Sequence, residues 1–146
     1  MQPIDYERAV CELAHRIAKD ALPEDKYIHT CRVVNYTEEI CARESISGDT
    51  HSLCIVLALL HDVIEDSDVT YDDIEDAFGT HVANCVDVLT HIKEKETYED
   101  YIDRIFLSVH PVQIVKRADM KDHLLQKETL TPKLKEKYLG VLDKFM

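Results

Sequence analysis

Glycine and proline are scarce, 3 and 4 in 146 residues. An all-β or α/β fold of this size needs more turn formers, so the scarcity predicts an all-helical chain. Basic residues are also in deficit. Lys+Arg is 17 against 29 Asp+Glu, a net charge of −12. Nucleic-acid binding needs a basic face to neutralise phosphates, and a polybasic membrane anchor needs a lysine or arginine cluster; this balance argues against both. Long apolar runs are missing. The longest, CIVLALL at 54–60, falls far short of the ~20 residues that span a bilayer. Paired cysteines are missing as well. Cys11, Cys31, Cys41, Cys54 and Cys85 stand singly with no CxxC, which argues against a structural zinc site and for reduced core thiols. The opening MQPIDYERAV has no basic start followed by an apolar stretch, so no secretory signal is expected and a cytoplasmic location is.

What is present is enough for one globular domain. At about 150 residues per domain the length predicts a single unit, and 45% hydrophobic residues supply a core despite the charge. Apolar spacing predicts a helix over 5–20, broken by Leu22-Pro23, and a second from about 24 to 43 with Ile28, Cys31, Val34 and Ile40 facing inward. Asp49 or Thr50 is expected to cap a third helix that carries the apolar run through Ile64; apolar around most of its girth, it belongs at the bundle centre. Thr70 with Asp73 suggests a cap for a short helix over 71–78, stopped by Gly79. Thr80 is expected to cap the next, to about His91. Further helices are expected over 98–108, over 112–123 after Pro111, and from Thr131-Pro132 to about Phe145. That makes six to eight helices in one bundle, without repeats or linkers.

Some polar residues sit where apolar ones are expected. CIVLALL runs directly into His61 and Asp62, followed by Glu65, Asp66 and Asp68. Burying an unpaired carboxylate costs several kcal/mol, so a partner or cation must be near. Ile114-Val115-Lys116-Arg117-Ala118 likewise delivers Asp119, and His29 lies between Ile28 and Val33. Taken singly, a helix histidine, a His-Asp dipeptide and a helix aspartate are ordinary. Jointly, His29, His61, Asp62 and Asp119 on central helices suit a divalent metal such as Mn²⁺, Fe²⁺ or Zn²⁺ with open positions, and do not suit calcium, which prefers all-oxygen sites. Asp68, Asp72, Asp73, Glu75 and Asp76 read as a solvated face.

This pattern resembles the HD superfamily of metal-dependent phosphohydrolases, H…HD…D on one helical bundle. HDVIEDSDVTYDDIEDAFG at 61–79 and VKRADMKDHL at 115–124 narrow the likeness to the hydrolase segment of RelA/SpoT-type enzymes. His15, Tyr27 and His29 fall in the region of its N-terminal motif. The resemblance covers roughly residues 6–126 and implies an all-α HD-type bundle over 1–146, in the small stand-alone form. It implies that His29, His61, Asp62 and Asp119 bind the metal, with Mn²⁺ first among the candidates. Glu65 and Asp66 would lie beside it, orienting or activating water and assisting proton transfer. The implied substrate is a nucleotide, guanosine tetra- or pentaphosphate losing its 3′-pyrophosphate.

The chain departs from the family at two places. LPEDKYIH at 22–29 is acidic and lacks the glycine and Pro-Tyr of the nucleotide loop; only Lys26 and Tyr27 remain there as substrate contacts. Met120 and His123 replace a basic residue and an asparagine. Lys116, Arg117, Lys121 and His123 are further candidate phosphate contacts. Three alternatives stand beside the alarmone hydrolase: another HD-type nucleotidase or phosphodiesterase, a degenerate HD domain that binds metal or nucleotide without turnover, and a helical interaction protein with an acidic surface. The base, the leaving group, the native metal and the oligomeric state are open at this point.

Overall fold

The computed structural model describes residues 3–126 and 129–144, with side chains from Glu7 onward. All regular structure among the described residues is helical: α1 Pro3–Ala21, α2 Glu24–Arg43, α3 Gly48–Leu60, α4 Val63–Asp66, α5 Tyr71–Phe78, α6 Thr80–Leu89, α7 Tyr98–Phe106, α8 His110–Leu125 and α9 Pro132–Lys144. No helix among these residues is long and apolar enough to cross a membrane.

Helices α2, α3 and α8 form the inner layer and pack on one another. Every residue from Cys54 to Leu60 on α3 is buried, as its all-round apolar surface requires. α1 covers one side of α3, while α6, α7 and α9 close over α8. Val33, Leu57, Leu60, Ile105, Ile114 and Val115 are among the fully buried side chains at the centre.

Several local expectations are met. Thr70 and Asp73 form a reciprocal cap on α5, Asp73 N–H donating to Thr70 Oγ1 at 3.2 Å and Thr70 N–H to Asp73 Oδ2 at 3.0 Å. Gly79 stops α5 with φ +93°, a region that favours glycine. Pro111 sits in the first turn of α8, and the Thr131 hydroxyl accepts from Leu134 N–H at the start of α9. Phe145 lies outside the described residues.

Four expectations are corrected. α3 starts at Gly48, without a side-chain cap from Asp49 or Thr50. The residue preceding α6 is Gly79; Thr80 lies inside the helix and its hydroxyl donates to Glu75 instead. Ile28 is 46% exposed and Cys31 and Val34 are half-buried, because the buried stripe of α2 runs through His29, Val33, Thr37 and Ile40; of the positions expected to face inward, Ile40 is fully in the core. Lastly, α3 does not continue to Ile64. It breaks at His61 and Asp62, and α4 resumes at Val63. His61 Nδ1–H donates to Ala58 O at 2.6 Å, which satisfies one of the carbonyls a helix end leaves open.

Candidate metal centre

The break after α3 presents His61 and Asp62 at the end of the inner layer. α2 brings His29 to the same place and α8 brings Asp119. Ligand atoms of His29, His61 and Asp119 all lie within 4.8 Å of one another. Asp62 Oδ2 is 3.2 Å from His61 Nε2 and 3.7 Å from His29 Nε2. His29 Nε2 lies 2.9 Å, and His61 Nε2 3.6 Å, from Asp119 Oδ1.

The tautomers define what these atoms are. A carboxylate oxygen can only accept, so His29 Nδ1 carries the proton it gives Asp122 Oδ2 at 2.6 Å. His61 Nδ1 carries the one it gives Ala58 O. His29 Nε2 lies 2.9 Å from Asp119 Oδ1, a hydrogen bond in which the ring must donate, so that nitrogen offers a lone pair only when a cation replaces its proton. In neutral His61, Nε2 holds a bare lone pair. His61 Nε2 is buried and has no hydrogen-bond partner. Four lone-pair donors converging in a buried site repel one another unless a cation stands between them. This donor set, two imidazole nitrogens and two carboxylates, fits a divalent metal.

The surrounding charges agree. Burial works against protonating His61, yet Asp62 and Asp119 hold its pKa well above the usual imidazole value. His29 is likewise raised, with Asp119 outweighing burial. Burial opposes ionisation of Asp119, but Lys116 and three imidazoles hold its carboxyl well below the carboxylate range. Protons and metal therefore compete for the same lone pairs.

Asp122, which touches a candidate ligand directly, was not among the residues expected from the sequence. It is fully buried and accepts from Arg32 Nε at 2.7 Å and Nη2 at 3.1 Å while gripping His29. Metal-binding histidines are commonly oriented by a carboxylate on the other ring nitrogen. The signal was its spacing, three residues from Asp119 on one helix face. Asp122→Ala removes the group that fixes the His29 tautomer. Mn²⁺ affinity measured by calorimetry is expected to fall about 10- to 100-fold.

A cavity of about 600 Å³ opens over these atoms, lined also by Lys26, Glu65, Asp66, Lys116 and His123. Glu65 Oε1 accepts from His91 N–H at 2.5 Å. Partial desolvation, with Asp62 nearby, lifts its carboxyl above the glutamate range. Asp66, also lifted by burial, lies 4.0 Å from Lys26 Nζ. Lys116 Nζ donates to Asp119 Oδ2 at 3.1 Å, and His123 Nε2 lies 3.3 Å from Asp119 Oδ1. Arg32, His91, Lys93, Tyr98, Tyr101, Lys137 and Tyr138 complete much of the wall. Apart from Arg32, which shares α2 with His29, they come from α7, α9 and the segment after α6, and no motif singled them out.

Three expected substrate contacts are not brought to this cavity. The Tyr27 hydroxyl pairs with His15 Nε2 at 2.7 Å. Arg117 pairs with Glu44 at 2.7 Å, and Lys121 with Glu39 at 3.1 Å. The reason is helical geometry. Each stands two residues from His29 or Asp119, about 200° around the helix, whereas Lys26, Lys116 and His123 stand three or four residues from them and share their face.

The family described as the HD domain matches residues 27–144. Among curated relatives, the guanosine-3′,5′-bis(diphosphate) 3′-pyrophosphohydrolase MESH1 of Drosophila melanogaster is 35% identical over 81 residues, 53% of this chain and 45% of the relative. The MESH1 enzyme of Danio rerio is 30% identical over 108 residues, 72% of this chain and 55% of the relative. The chain thus spans about half the length of these relatives. A solved structure described as a metazoan ortholog of SpoT that hydrolyzes ppGpp superposes with a TM-score of 0.65 at 24% identity, over 94% of this chain and 82% of that one. At that identity the likeness establishes the fold.

Proposed function

Since the chain belongs to the HD-domain family, we propose that it is a metal-dependent phosphohydrolase that cleaves a phosphate or pyrophosphate ester of a nucleotide, with the 3′-pyrophosphate of guanosine tetra- or pentaphosphate as the leading substrate. The observation that carries this reading is the convergence of His29, His61, Asp62 and Asp119 beside the Glu65 carboxylate in one cavity. Relatives named for guanosine-3′,5′-bis(diphosphate) 3′-pyrophosphohydrolase activity support the substrate choice.

The mixed imidazole and carboxylate set favours Mn²⁺, with Fe²⁺ or Zn²⁺ as substitutes. A divalent cation there supplies Lewis acidity toward water and toward a phosphoryl oxygen. The chain's own residues do the rest. Glu65, its carboxyl lifted by partial desolvation, takes the proton of the attacking water. The His91 amide holds it in place, and Asp66 orients the same water. Water oxygen bonds to phosphorus, the ester P–O bond breaks, and the departing oxygen leaves with the electron pair. Lys26, Lys116 and His123 face the cavity and offset phosphate charge. The free cysteines fit a reducing compartment, the cytoplasm.

The test is a panel of 3′- and 5′-phosphorylated nucleotides, guanosine tetraphosphate included, incubated with protein and Mn²⁺. Metal-dependent release of pyrophosphate or phosphate is expected. Binding of Mn²⁺ with no turnover of any panel member overturns the enzyme in favour of a binding module.

A further inference from the structure

Tyr101 lies on α7, off the metal-binding helices, and its ring is buried. Its hydroxyl donates to Leu89 O at 2.7 Å, just where α6 ends, and accepts from Lys116 Nζ at 3.1 Å. Lys116 also sits 4.8 Å over the Tyr101 ring and gives another proton to Asp119 Oδ2 at 3.1 Å. That leaves Asp119 Oδ1 facing His29 and His61. The Tyr101 ring also stacks on His91 at 4.7 Å and 19°, and it is the His91 amide that holds Glu65. One turn along α7, Arg104 clamps the same segment, Nη1 donating to Val88 O at 3.0 Å and Nη2 to Thr90 O at 3.2 Å.

From this geometry we infer that Tyr101 is a positioning residue that sets the Asp119 carboxylate for metal through Lys116. The inference rests on the proposed metal-dependent reading of the site. A flexible, buried ammonium has many rotamers, and two fixed acceptors select one. Without the phenol oxygen, Lys116 has a single anchor in this cluster, Asp119 itself, and can draw that carboxylate away from the imidazoles. With it, the ammonium is tethered from α6 and α7, and Asp119 presents one oxygen in a constant direction. Second-layer contacts of this kind typically change metal affinity by 10- to 100-fold.

The experiment is calorimetric titration of the metal-free protein with Mn²⁺ alone, for wild type, Tyr101→Phe and Ile105→Val. Phenylalanine keeps the ring and the His91 stack and removes the hydroxyl's bonds to Lys116 and to Leu89 O. Ile105 is equally buried on the same helix, and its truncation to valine lowers the melting temperature by a few degrees through packing alone. Tyr101→Phe is expected to weaken Mn²⁺ about tenfold, while Ile105→Val leaves affinity within about twofold at a similar melting shift. Wild-type affinity in Tyr101→Phe, or an equal loss in Ile105→Val, overturns the positioning role. Wild-type protein that binds Mn²⁺ and hydrolyses nothing overturns the hydrolase alone. Wild type that binds no Mn²⁺ overturns both.

Discussion

Asp119→Ala is expected to reduce nucleotide hydrolysis to the uncatalysed background and to weaken Mn²⁺ on the order of a hundredfold or more. The second figure follows if one of four ligands carries a quarter of the roughly 10–16 kcal/mol typical of a structural zinc site. Asp119 is the residue on which the charges converge. Its Oδ1 lies nearest His29, His61 and His123, and its Oδ2 holds Lys116. Alanine therefore also leaves Lys116 buried without its counterion, and orphaning one member of a buried ion pair costs about 3–5 kcal/mol. Asp119→Asn keeps the volume and an acceptor for Lys116 while removing the charge, and it should lose metal with a smaller fall in melting temperature. Circular dichroism and calorimetry on both variants separate ligation from folding. Wild-type Mn²⁺ affinity in the asparagine variant would show that the carboxylate is not a ligand.

Glu65→Gln is expected to lower turnover about 10²- to 10⁴-fold, the usual contribution of a general base, with Mn²⁺ affinity nearly unchanged. Glutamine still offers an oxygen to the His91 amide, which the carboxylate accepts at 2.5 Å, so the segment after α6 keeps its place. What disappears is the ability to take a proton. Glu65 is open to the solvent of the cavity, and partial desolvation there together with the neighbouring Asp62 lifts its carboxyl above the ordinary range, which favours its taking a proton. This variant parts company with Asp119→Ala in one measurement: metal is retained and hydrolysis is lost. A loss of both together would make Glu65 a ligand rather than a base.

Much of the fold follows from local chemistry. The Thr70–Asp73 cap, the stop at Gly79 and the Pro111 start of α8 are short-range events, visible in four or five consecutive residues. The helix break at His61–Asp62 is not of that kind. Nothing in CIVLALLHDVIED forbids one continuous helix, and the turn there is held by the fit of α3 between α2 and α8 and by the His61 bond to Ala58.

The candidate metal set was readable in the same sense, as His61-Asp62 and Asp119 following apolar stretches, where burial would be too costly without a cation, with His29 among apolar neighbours on a further helix. The candidate substrate contacts divided by helix phase. Lys26, Lys116 and His123 line the cavity with His29 and Asp119, and Tyr27, Arg117 and Lys121 turn away to other partners. Even that division needs the structure to say which face points in.

By itself, then, the amino-acid order determined an all-helical chain and a set of cation-seeking side chains, because composition, caps and burial costs act over a few residues. Only the tertiary structure decided that Asp122 and Arg32 lock His29, that His91 seats Glu65, and that Tyr101 tethers Lys116. These contacts join residues on separate helices, and their distances are set by how the helices pack, which no local spacing encodes.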